Sequence, residues 1–89
     1  MDYAVGQTVY AKCGRESGRP FVIVGIEDDY LWLADGKHRT LDRPKRKKKK
    51  HVQPTGHQSE SLRESILCGK PPLDAAIRKY LKECSGRDV

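Results

Sequence analysis

Long apolar runs, paired cysteines and any acidic residue between positions 43 and 59 are what this 89-residue sequence lacks. No apolar stretch is long enough to span a bilayer. Met1 is followed by Asp2 rather than by an apolar leader block. A cytoplasmic protein with no membrane segment is therefore expected. The three cysteines, Cys13, Cys68 and Cys84, form no CxxC pair, so neither a zinc site nor a redox motif is indicated. Each lies among apolar neighbours, and small buried thiols are expected at all three. His38, His51 and His57 also lack ligand spacing, so no metal or other cofactor is expected. GxSxG, HExxH and P-loop patterns are missing, and an enzyme is not expected. The acids Glu27, Asp28 and Asp29 fall in an expected turn, where acids are common for conformational reasons.

The positive charge that is present is local. The chain carries 18 Lys+Arg against 12 Asp+Glu, a formal net charge of +6. Residues 37–50 hold nine cations and one acid, Asp42, so that segment is +8 and the remainder −2. The cations are Lys37, Arg39, Arg43, Lys45, Arg46, Lys47, Lys48, Lys49 and Lys50, the last six unbroken. A charge concentrated this way suits a phosphate-binding surface better than a generally basic protein does.

Periodicity divides the chain in two. Residues 5–13 alternate, with Val9, Ala11 and Cys13 on one face and Thr8, Tyr10 and Lys12 on the other. A polar loop containing Gly14 and Gly18 follows. Phe21 to Ile26 form a β-branched run. Tyr30 to Ala34 alternate again, placing Leu31 and Leu33 inward and Tyr30 and Trp32 outward. Asp35-Gly36 is a two-residue hairpin signal, because glycine accepts the positive φ such turns need; His38 to Leu41 are expected to pair back. Val52 anchors a last strand. Five short strands in so few residues fit a small, bent, SH3-like barrel, since closure removes exposed edges. The pattern then becomes helical. Ser61-Leu62-Arg63-Glu64 has the capping-box form, Gly69 is a stop, and Leu73, Ala76, Ile77, Tyr80, Leu81 and Cys84 make one stripe. The expected fold class is mainly β: a barrel domain over 1–56, then a helical C-terminal extension over 57–89. The extension has a short helix at 61–68 and a longer one at 73–84.

Four segments carry a resemblance: the strand opening VGQTVYAKCG, the loop GRESGRP, the apolar strand FVIVGI and the hairpin LWLADGKHRTL. Residues 4–56 resemble the KOW motif of ribosomal and transcription-factor SH3-like barrels. The likeness is to large-subunit ribosomal proteins of the fourteen-e type and their small bacterial homologues. The tail LRESILCGKPPLDAAIRKYLKE is similar to the helical end of such homologues. The resemblance implies a monomeric binding module for structured RNA, usually ribosomal RNA, working in the ribosome or beside other translation components. It also implies that Gly14 and Gly18 shape the first loop and that Lys12, Arg15 and Arg19 meet phosphates there. Lys37 and Arg39, just past Gly36, extend that surface.

Charge physics points the same way. Each neutralised phosphate releases condensed counterions, and lysine reads backbone charge rather than base identity. Arg43 and the tract from Lys45 to Lys50 are therefore candidate phosphate contacts. Tyr10, Tyr30 and Trp32 are candidate stacking platforms or, equally and above all for Trp32, side chains that cover the barrel or dock the tail helices. The alternative is a KOW-type protein-interaction module whose lysines only solubilise. Pro44 disfavours a central strand at the start of the tract, which is expected at an edge or in a loop.

Overall fold

In a computed structural model, residues 3–70 and 74–87 are described. Strands β1 (Gln7–Ala11), β2 (Pro20–Glu27), β3 (Tyr30–Ala34), β4 (Lys45–Lys48) and β5 (Val52–Gln58) precede helices α1 (Glu60–Leu67) and α2 (Asp74–Arg87). The strands form one antiparallel sheet in the order β4-β3-β2-β1-β5. β4 and β5 are its two edges and do not pair with one another, so hydrogen bonding does not close the sheet into a barrel. Register shifts between Ile23 and Gly25 in β2 and between Gln7 and Val9 in β1 mark bulges, which bend strands and increase their twist.

The apolar runs follow from burial on both faces. Val9, Ala11, Phe21, Ile23, Leu31, Leu33 and Val52 make one core cluster, against which Tyr3 packs. Val22 and Ala34 point the opposite way and meet Leu62, Ile77 and Leu81 of the helices. A sheet strand covered on both sides has no polar face, which is why Phe21 to Val24 read as continuous apolar sequence. Thr8 belongs to the helix-covered side. Its hydroxyl lies 3.8 Å from the Cys84 thiol, and neither residue reaches solvent. The helical stripe docks as expected through Ile77, Leu81 and Cys84, with Ala76 and Tyr80 half-buried; Leu73 lies outside the described residues.

Several expectations are corrected. His38 to Leu41 form no strand. The Asp35 carboxylate accepts hydrogen bonds from the Lys37 and Arg39 amides at 2.9 and 2.8 Å, and the Arg39 carbonyl accepts from Asp35 and Gly36. The Asp-Gly pair therefore closes a side-chain-stapled turn, and the strand pairing with β3 is the lysine tract itself. Ser59, not Ser61, caps α1, its hydroxyl accepting from the Leu62 amide at 3.2 Å. Cys13 and Cys68 are exposed, and only Cys84 is buried. Cys13 lies beyond the end of β1, where the alternation no longer sets a face, and Cys68 follows the last turn of α1.

Gly36 is buried because α2 begins against it. Its φ is +78°, and a Cβ there would sit 2.3 Å from the Asp74 carbonyl oxygen and 3.0 Å from Arg78 Cγ. Gly18 has φ +85° with open space around it. Gly18→Ala should cost about 1–2 kcal/mol, the left-handed penalty alone. Gly36→Ala should cost clearly more, because backbone must also move. Urea denaturation of the two variants measures the difference, and equal losses would contradict the packing described for α2.

Candidate nucleic-acid interface

Strand pairing sorts the lysine tract. Lys45 and Lys47 lie opposite Leu33 and Leu31, while Arg46 and Lys48 lie opposite Trp32 and Tyr30. Paired residues share a face of the sheet, so alternate cations leave the strand on opposite sides.

The core-side pair is engaged within the molecule. Lys45 Nζ lies 2.6 Å from Glu16 Oε1, and Arg39 Nε lies 3.3 Å from Glu16 Oε2. Lys47 donates to the Cys13 carbonyl at 2.9 Å. The loop between β1 and β2 is thereby tied to β4. Gly14 and Gly18 shape that loop with φ +85° each, and the Gly18 amide donates back to the Ala11 carbonyl at 2.8 Å. Glu16 is 8% exposed. Burial pushes its carboxyl up, but hydrogen bonds from Lys45 and Arg39 and the charges of both outweigh this and hold it below the ordinary 4.5.

On the outer side, the Arg46 guanidinium stacks over the Tyr30 ring at 3.7 Å from its centroid. It also approaches Glu27 at 3.7 Å, an exposed pair that contributes little. Trp32 Nε1 donates to Glu27 at 3.4 Å.

The end of the tract differs. Lys48 finishes β4, and Lys49 to His51 form one 3-10 turn. The Lys49 amide donates to the Asp29 carbonyl at 2.8 Å, and the Tyr3 hydroxyl donates to the Lys49 carbonyl at 3.2 Å. With backbone held on both sides, Lys48, Lys49 and Lys50 line a cleft with Asp29 and Tyr30. Among the described residues no carboxylate lies within 4 Å of these three ammonium groups.

The remaining candidates are spread out. Lys12, Arg15 and Arg19 are exposed on or beside the β1–β2 loop, and Lys37 and Arg43 are exposed in the segment after β3. Arg19 and Lys37 border one shallow depression, where Arg78 and Lys82 of α2 join them. Both helix cations lie outside the phosphate contacts expected from the sequence. Their spacing of four was the available signal, but nothing in the sequence shows that this face adjoins Lys37. Tyr10 and Trp32 are half-buried on the sheet. The structure thus brings Arg39, Lys45 and Lys47 into internal contacts and leaves Lys48, Lys49 and Lys50 as a continuous cationic group.

Among the described residues no three His, Cys, Asp or Glu side chains converge as a metal site, and no helix is long and apolar enough to cross a membrane. No family model matches the chain, and no curated protein is significantly similar to it.

Glu16 should behave as a structural acid. Glu16→Gln keeps an acceptor but removes the charge, and should cost about 1–2 kcal/mol at neutral pH. Because the folded carboxyl titrates below its unfolded value, its stabilisation is present above about pH 4.5 and is lost as pH falls through the folded value. Chemical denaturation from pH 7 to pH 3 should show wild type and variant converging in acid. A constant gap would rule out the charge as its source.

Proposed function

We propose that this protein is a non-catalytic RNA-binding protein of the KOW, SH3-like kind, cytoplasmic and ribosome-associated, that grips structured RNA through its phosphates. One observation carries the reading: Lys48, Lys49 and Lys50 stand together on a fixed strand end and turn, with no carboxylate of the described residues neutralising them. Lysines on a held backbone release counterions from a phosphate backbone without first losing main-chain freedom. Lys12, Arg15, Arg19, Lys37 and Arg43 add exposed charge around the same sheet. The resemblance of residues 4–56 to KOW modules supports the same reading, and five short antiparallel strands in a strongly bulged sheet suit an SH3-like fold.

The competing protein-interaction reading has one observation in its favour. Val24, Trp32, Leu41, Pro44 and Ile66 line an apolar depression on the outer face. Charge distinguishes the two readings, because an apolar dock binds with little salt dependence.

With about six phosphates engaged, log K for a structured RNA against log[salt] should slope near −4 to −5. Changing Lys48, Lys49 and Lys50 together to Gln should flatten that slope by about 2 to 3, while Lys48 and Lys50, both exposed, should each shift stability by only about 0.5 kcal/mol or less. Fluorescence anisotropy across a salt series measures both quantities. A wild-type slope near zero, or no binding at low salt, defeats the RNA reading in favour of the apolar dock.

A further inference from the structure

The cleft at the end of the tract holds an aromatic ring as well as charge. It encloses about 340 Å³, inside the range of about 300–1,000 Å³ typical of small-ligand clefts. Tyr30 opens β3 directly opposite Lys48, so ring and ammonium stem stand side by side on one face. The Arg46 guanidinium covers one face of the ring at 3.7 Å, and Tyr30 itself lines the cleft. Among the described residues, Asp29 is the only acid that lines the cleft. Its charge repels a phosphate at that end and favours N–H donors, which gives the cleft a polarity. The Lys49–Asp29 and Tyr3–Lys49 hydrogen bonds fix the walls before any ligand arrives.

Phosphate contacts alone need no aromatic group. A continuous duplex hides its base faces within the stack, so a ring beside its backbone has nothing to stack on. Bulged or looped nucleotides expose a base face and a phosphate together. We propose that this cleft receives one unstacked nucleotide of a structured RNA, its base lying on Tyr30 and its phosphate meeting Lys48, Lys49 and Lys50. The inference rests on the RNA-binding reading above and adds to it a preference for RNA with an unpaired residue.

The test compares a blunt RNA duplex with the same duplex carrying a single bulged 2-aminopurine. Wild-type protein should bind the bulged duplex more tightly and quench its fluorescence, the signature of stacking. Tyr30→Leu should weaken binding to the bulged duplex by about 5- to 150-fold, the range for loss of one stacked base. Its affinity for the blunt duplex and its salt slope should not change. Tyr30→Phe should keep both the preference and the quenching, which separates stacking from any loss of fold. Lys49→Gln should weaken both RNAs. If the two duplexes bind equally while the salt slope stays steep, RNA binding stands and the nucleotide cleft is refuted. An unchanged bulge preference in Tyr30→Leu refutes it as well. If neither RNA binds at low salt, the RNA-binding reading fails and the cleft proposal falls with it.

Discussion

A carboxylate shared by two cations holds a run of like charges in extended form. Neighbouring lysines repel one another, and lysine is a poor strand former by itself. Extended backbone relieves the repulsion by sending successive side chains to opposite faces. Glu16 then neutralises the inner side through Lys45, with Arg39 completing the group. Lys47 finds the Cys13 carbonyl. On the outer side the Tyr30 ring takes up Arg46, and a cation over an aromatic face gains about 0.5–1 kcal/mol at an exposed site. The backbone of β3 supplies the hydrogen bonds. Lys45, Arg46 and Lys47 find partners along β4, and the other three cations of the tract collect at Lys48, Lys49 and Lys50.

Position at the edge of the sheet gives the same residues a second task. An edge strand exposes unpaired amides and carbonyls that would accept another chain, and lysines on it discourage such pairing. β5, the opposite edge, instead carries Pro54, which has no amide to offer. Edge protection and phosphate contact therefore need not compete within the tract. Protection is spread along β4, and the concentrated charge lies at its end, where the chain leaves the sheet in a 3-10 turn.

What the sequence made legible was side-chain alternation. Leu31 and Leu33 against Tyr30 and Trp32, and the stripe from Ala76 to Cys84, lie as periodicity required. The features that misled depend on one side chain's choice of partner. Asp35-Gly36 has the composition of a hairpin turn, yet the Asp35 carboxylate captures two amides and delays the return strand until Lys45. Ser59 and Ser61 are both plausible caps by type; the Ser59 hydroxyl is the one that meets the Leu62 amide. Glu16, Arg39 and Lys45 could not be grouped from sequence, because 23 residues separate Glu16 from Arg39 and only the fold closes that gap. For the candidate site, the tract was visible as charge. Which of its cations remain available was not, since that depends on tertiary contacts.

The helices bear on the tract through the turn that feeds it. Asp74, at the start of α2, accepts from the Leu41 amide at 2.8 Å. One turn later Arg78 donates to the Gly36 carbonyl. α2 thus holds the segment between β3 and β4 at residues 36 and 41, and it does so only because Gly36 lacks a Cβ. Arg39, which lies between those two contacts, reaches Glu16. The apolar stripe of α2 supplies the energy for docking, about 25 cal/mol per Å² of apolar surface removed from water, and the polar contacts at its first turns convert that docking into a defined path for residues 36–41. The C-terminal helix is in this way part of what sets the register of β4. The place where Lys48, Lys49 and Lys50 leave the sheet follows in part from how α2 holds the segment that leads into β4.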